Sequence, residues 1–151
     1  MDYNLCDYNT VKKILSAHGF NFSKALGQNF IIDDSVCPTM AEMLEADEKT
    51  GVLEVGPGVG VLTKELCKRA GKVVSVELDE RLYPVLEQTL ADYDNFELVK
   101  GDVMKIDLKQ LIAEKFADYD TVKVCANLPY YITSPVIMML LQSRLPVSEI
   151  E

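Results

Sequence analysis

The chain has 151 residues, 48% hydrophobic and 26% charged, with a formal net charge of −9. That is the size of one domain with a real core, and no apolar run approaches the roughly 18 residues needed to cross a bilayer. The acidity argues against nucleic-acid binding, since proteins that grip polyanions usually carry basic patches.

The N-terminus, MDYNLCDYNTVKK, has neither a basic start nor an apolar run, so no secretory signal is read and a cytoplasmic location is expected. Asn9 and Thr10 can cap a short helix, TVKKILSAHG, with Val11, Ile14 and Leu15 on one stripe and Gly19 as its stop. FNFSKALGQNFIIDDSV is too irregular for one element, and composition alone favours a polar loop over a lid whose amides contact a ligand. From Ser35 to Leu44, Val36, Met40, Met43 and Leu44 recur at helical steps, with Pro38 tolerable in the first turn. The linker EADEKTG leads into VLEVGPGVG, an apolar strand that ends in a turn with Gly56, Gly58 and Gly60 on alternate positions. Such a run makes sense where the backbone needs open torsion angles and close approach to a ligand.

VLTKELCKRAG then reads as a helix with Gly71 as its C-cap. Lys72 to Leu78 is a second strand, followed by a helix through Val85, Leu86 and Leu90 whose start Pro84 obscures. Phe96 to Lys100 is a third strand and Leu108 to Phe116 a helix. Thr121 to Ala126 is a fourth strand, and after NLPYYITSP Ser134 and Pro135 start an apolar helix. Strands alternating with helices predict an α/β fold with a parallel, doubly covered sheet. In such sheets ligands bind outside the carboxyl ends of the strands. All four predicted strands end there in chemically unusual residues. The cysteines, Cys6, Cys37, Cys67 and Cys125, fit neither a zinc knuckle nor a CxxC pair. His18, the single histidine, leaves a His-based metal site or triad little to work with, so no metal is expected.

The glycine turn alone is a weak signal, because nicotinamide-binding folds use one too. Their fingerprint wants Gly or Ala where Val61 stands, and it prepares a helix N-terminus for a pyrophosphate. Glu54, two places before Gly56, instead suits S-adenosylmethionine, which carries an ammonium, a carboxylate and a sulfonium but no phosphate. Glu77 lies about twenty residues beyond Gly56, where a carboxylate reads ribose hydroxyls in this class of sheet; the alternative is a solvated glutamate capping the next helix, a job Asp79 could do. Asp102 could accept a hydrogen bond from an adenine amine or be an ordinary turn aspartate.

Asn127, Leu128, Pro129 and Tyr130 are the most specific group. An exocyclic adenine amine is a poor nucleophile because its lone pair is delocalised into the ring. If the Asn127 side-chain oxygen and the Leu128 carbonyl accept its two hydrogens, the nitrogen is drawn towards tetrahedral geometry. Pro129 stiffens that carbonyl, and Tyr130 offers a face for the base to stack on. No strong general base is needed, because a sulfonium is a good leaving group and positioning carries the chemistry. A plain proline turn explains Pro129 but not its neighbours.

KALGQNFIID, LEVGPGVGVLT, VELD, GDVMKID and ANLPYYITSP, in that order, resemble the ribosomal RNA adenine dimethyltransferase family over most of Asn21 to Gln142. The resemblance implies a Rossmann-like, S-adenosylmethionine-dependent methyltransferase acting on adenine amines of ribosomal RNA. By the same carry-over Gln28 and Asn29 touch the methionine end of the cofactor, against the loop reading above. Gly56 and Gly58 form its turn, with Glu54 before them. Glu77 holds the ribose and Asp102 the adenine amine, Leu78 and Val103 also bind the cofactor, and Asn127 to Tyr130 hold the target base, with Asn127 also beside the cofactor. GQNFIID and the Ser-Pro after NLPYYIT look more like the small-subunit enzyme than the antibiotic-resistance enzymes acting on the large subunit. The implied partner is a precursor of the small ribosomal subunit, with no membrane and no obligate protein partner.

Family members continue through further strands and a small helical RNA-binding domain. The chain is therefore expected to be an N-terminal portion, weakly active or inactive, with a lid region at 1–50 and a core, incomplete at its C-terminus, at 51–151. The absent part is expected to supply basic RNA contacts, which answers the charge objection; Lys12, Lys13 and Lys24 are local candidates. Thr121 to Ala126 is then expected to be a bare edge strand that promotes association. A nicotinamide dehydrogenase and a non-catalytic ribosome-assembly module are the competing readings.

Overall fold

A computed structural model describes residues 3–5, 7–20, 42, 44–119, 121–126 and 149–150. It has helix α1 (Tyr8–Ala17), strand β1 (Thr50–Val55), α2 (Val61–Arg69), β2 (Lys72–Glu77), a 3-10 turn (Glu80–Leu82), α3 (Tyr83–Thr89), β3 (Phe96–Lys100), α4 (Leu108–Lys115), β4 (Thr121–Ala126) and β5 (Glu149–Ile150). The strands form one sheet in the order β3-β2-β1-β4-β5, and every pairing is parallel. The chain winds outward from β1 to β3 and then returns to β4 on the other side of β1. The strand order therefore reverses between β1 and β4, the place where open α/β sheets bind ligands.

Alternation along the strands divides the core in two. Val52, Val73 and Cys125 pack with α1, α2 and α3, through Leu15, Leu62, Leu66 and Leu86. Leu53, Val55, Val74, Val76, Val122 and Val124 pack with α4 through Leu108, Leu111 and Ile112. Both faces are covered, as a parallel sheet requires. Each fully buried leucine contributes roughly 1.5 to 3 kcal/mol relative to exposure.

Several local expectations are corrected. The first helix is capped by Asp7, not by Asn9 or Thr10. The Asp7 carboxylate accepts from the Thr10 amide at 3.0 Å and the Thr10 hydroxyl at 2.6 Å, so Thr10 is the third residue of the helix and not its cap. Gly71 does not cap α2, which ends at Arg69 with Ala70 as C-cap. Gly71 is needed for close approach: a Cβ there would lie 2.1 Å from the Glu48 carbonyl oxygen, while its amide donates to Asp47 and Thr50. Pro84 sits in the first turn of α3, where its missing N–H costs nothing, and the 3-10 turn before it is capped by Asp79. Finally, β4 is not a bare edge, because β5 pairs with it at Lys123 and Val124. The expected helix over Ser35 to Leu44 and the one after Pro135 lie mainly or wholly outside the described residues.

Candidate cofactor site

Gly56, Gly58 and Gly60 all have positive φ, at 75°, 61° and 99°. The turn they make runs from the end of β1 into the first turn of α2, and its missing side chains let a neighbour approach the backbone closely. All three glycine amides are already used: Gly56 donates to the Val76 carbonyl and Gly60 to the Pro57 carbonyl, both at 3.0 Å. Gly58 donates to Glu77 Oε1 at 3.3 Å, and the Asp79 amide donates to Glu77 Oε2 at 3.0 Å. A carboxylate has about four acceptor positions, so with the Gly58, Asp79 and Leu78 amides on it Glu77 keeps capacity for a further donor such as a ribose hydroxyl. Burial pushes its carboxyl above the ordinary value, while the Asp79, Gly58 and Leu78 amides pull it back.

Glu77 and its surroundings line a cavity of about 210 Å³ at the carboxyl ends of β1, β2 and β3. Val55 and Gly56 come from β1 and its turn; Val76, Leu78 and Asp79 from β2 and beyond; Gly101, Asp102, Val103 and Met104 from the loop after β3. Among the described residues the two exposed large hydrophobics, Leu78 at 64% and Met104 at 47%, both stand here. Exposed apolar groups gathered at a cavity that also holds carboxylates suit a flat, partly polar ring. Asp102 Oδ1 accepts from the Met104 amide at 2.9 Å, which fixes the loop and leaves the second carboxylate oxygen for a ligand.

Glu54 is placed elsewhere. It is fully buried on the sheet face covered by α2, where Oε1 accepts from the Thr63 hydroxyl and from the Ser75 hydroxyl at 2.8 Å. Oε2 has no hydrogen-bond partner among the described residues. Burial raises the carboxyl to about 7 against the pull of Thr63 and Ser75, and the Glu77 charge adds to the rise. Glu54 is not among the residues that line the cavity.

The structure thus brings together Gly56, Gly58, Glu77, Leu78, Asp102 and Val103, with Glu54 behind the turn. Gln28, Asn29, Asn127, Leu128, Pro129 and Tyr130 lie outside the described residues. Sequence reasoning missed Met104 and Tyr83. The Tyr83 hydroxyl donates to the Glu77 carbonyl at 2.9 Å and so holds the end of β2 from below; the Lys100 ammonium lies 5.3 Å from its ring centre. A tyrosine just before a proline gave no sign of this role. Among the described residues no three His, Cys, Asp or Glu side chains gather as a metal site, and no helix is long and apolar enough to cross a membrane.

Comparison with known proteins adds three findings. A family model described as ribosomal RNA adenine dimethylase matches residues 19–150. Proteins named ribosomal RNA small subunit methyltransferase A are similar at 48% identity over 90% of this chain in Anoxybacillus flavithermus and 49% over 92% in Bacillus licheniformis. The chain spans 46% and 48% of their lengths, about half. Among solved structures, a 23S rRNA methyltransferase, ErmE, superposes with TM-score 0.64 at 31% identity, covering 80% of this chain and 44% of that one. A dimethyladenosine transferase from Plasmodium falciparum superposes with TM-score 0.60 at 28% identity, covering 76% and 38%. The Rossmann-like methyltransferase fold read from the sequence is the one observed.

Proposed function

The chain belongs to the ribosomal RNA adenine dimethylase family, and from that premise we propose that it forms the S-adenosylmethionine-binding half of an enzyme that dimethylates adenines of small-subunit ribosomal RNA. The observation that carries the reading is the set of Gly56, Glu77 and Asp102 around one cavity, with Gly58 bonded to Glu77 and with Leu78 and Met104 at the lip. A nucleoside needs that set: a carboxylate for the ribose hydroxyls, a second for the exocyclic amine, and apolar faces for the ring. S-adenosylmethionine supplies an electrophilic methyl on a sulfonium.

The chain's own residues do the rest. Glu77 takes the ribose, Leu78 and Val103 flank the base, and Asp102 accepts from the adenine amine. Glu54 stabilises the methionine end from behind the turn through its unpartnered oxygen, and Gln28 and Asn29 contact the same end. Asn127 and the Leu128 carbonyl accept the two hydrogens of the target amine, Pro129 fixes that carbonyl, and Tyr130 stacks on the base. Catalysis is then orientation of amine and methyl, with no strong base, on a base turned out of its stack.

Higher identity to the small-subunit relatives, 48–49% against 31% for ErmE, favours the small subunit over the large as substrate. In this reading residues 1–50 are the helices and lid over the cofactor and 51–151 the first part of the core. The remaining length of the relatives corresponds to the rest of the sheet and an RNA-binding domain, and the enzyme works in the cytoplasm. The test uses protein of the relatives' full length, labelled cofactor and unmodified small-subunit RNA. Asn127→Ala should abolish transfer and leave cofactor binding intact; robust transfer by that variant removes the mechanism.

A further inference from the structure

From Tyr8 to Ile32 the sequence holds Lys12, Lys13 and Lys24 and no Asp or Glu, so all 24 acidic residues of the chain lie outside this stretch. A polyanion approaching so acidic a protein is repelled over most of its surface, and a positive island decides where its backbone can lie. Helix α1 builds such an island. Val11, Ile14 and Leu15 are buried at 1%, 5% and 0% exposure. Asn9, Lys12, Lys13 and Ser16, at steps of three and four, share another face that lines an open cavity of about 620 Å³.

Lys12 and Lys13 are exposed and make no ion pair among the described residues. The nearby Asp7 is already engaged. Its carboxyl is held below the usual range first by the Thr10 hydroxyl and amide that it caps, and last by the Lys13 charge. Two ammonium groups flanked by an amide and a hydroxyl, all able to donate, match the phosphate oxygens of a nucleic-acid backbone.

The helix is also anchored to the rim of the cofactor site. His18 Nε2 lies 2.6 Å from Gln88 Oε1 at the end of α3. The Phe20 ring lies 4.8 Å beneath the Arg81 guanidinium, which donates to both oxygens of Asp79, a residue lining the cavity. A backbone held on α1 is therefore held in fixed relation to the cofactor.

We propose that the α1 face of Asn9, Lys12, Lys13 and Ser16 binds the phosphodiester backbone of the RNA substrate; this rests on the RNA reading of the function. The test is fluorescence anisotropy of this chain with a fluorescein-labelled RNA hairpin across a salt series, with S-adenosylmethionine binding followed in parallel. Lys12→Gln/Lys13→Gln should weaken RNA binding roughly tenfold at low salt, whatever the hairpin sequence, and lower the log–log salt slope by about 2. Cofactor affinity should stay unchanged, and Lys12→Arg/Lys13→Arg should restore binding. Lys49→Gln/Lys109→Gln, which removes the same charge elsewhere, should change little.

Equal losses in both Gln pairs, or no loss in the α1 pair, overturn the proposal. So does a wild-type chain that binds cofactor and no RNA, with the cofactor assignment still standing. A chain that binds neither overturns the proposed function as well.

Discussion

The Gly58 amide donates to Glu77 Oε1 at 3.3 Å, tying the glycine turn after β1 to the carboxylate at the end of β2. Two neighbouring strands thereby present one rigid edge to a ligand. Glu77→Gln keeps the shape of the side chain and removes its charge, so its bonds to donors weaken from charge-assisted to neutral. The expected result is S-adenosylmethionine affinity lower by roughly 10- to 100-fold, the equivalent of one charge-assisted bond of about 1.5 to 3 kcal/mol. Equilibrium dialysis with labelled cofactor reads this directly, and an unchanged affinity would remove Glu77 from the site.

Glu54 makes stability depend on pH. Its carboxyl moves from an ordinary 4.5 to about 7 on folding, so between those values the folded chain binds a proton that the unfolded chain has released. The stability that this contributes is fully present below about pH 4.5 and is lost as pH rises through 7, a change of about 3 kcal/mol. Glu54→Gln keeps the hydrogen-bonding outline and cannot titrate. Thermal unfolding at pH 5 and pH 8 should show the wild type losing more stability across the interval than Glu54→Gln. Equal losses would place the ionisation elsewhere.

The Tyr83 hydroxyl should matter through geometry alone. Tyr83→Phe removes the bond to the Glu77 carbonyl, costing about 1 kcal/mol of stability. In protein of the relatives' full length it should raise the KM for S-adenosylmethionine several-fold with kcat little changed, because the strand end moves while the transfer chemistry does not. A fall in kcat at unchanged KM would contradict that role.

Gly71→Ala tests the crossing of β2's entry by the 47–50 turn. An added methyl meets the Glu48 carbonyl oxygen at 2.1 Å and the Tyr119 ring at 2.7 Å, and the first of these is backbone that cannot step aside. The expected loss is roughly 1 to 3 kcal/mol by urea denaturation, whereas a helix C-cap alone would predict a smaller change.

The fold was legible because its signals are local and redundant. Apolar runs ending in Gly56, Glu77, Asp102 and Asn127 marked the strands and their carboxyl ends, and the order of these residues placed three of the ends around one cavity. The failures come from contacts between distant segments. Gly71 read as a cap because the approach of Glu48 from before β1 leaves no local trace. The cover that β5 gives β4 comes from some 25 residues further along the chain and from a strand of two residues. Glu54 stands next to the glycine turn, and strand alternation sends its side chain to the α2 face with Thr63 and Ser75, behind the turn and not into the cavity. Those hydroxyls, in otherwise apolar surroundings, were the signal that a buried carboxylate needed company.

Isothermal titration of the 151-residue chain with S-adenosylmethionine tests the central assignment most directly. One saturable site, abolished by Glu77→Ala and not reproduced by NADH, is the expected result. Tight NADH binding, or cofactor binding indifferent to Glu77→Ala, would contradict it.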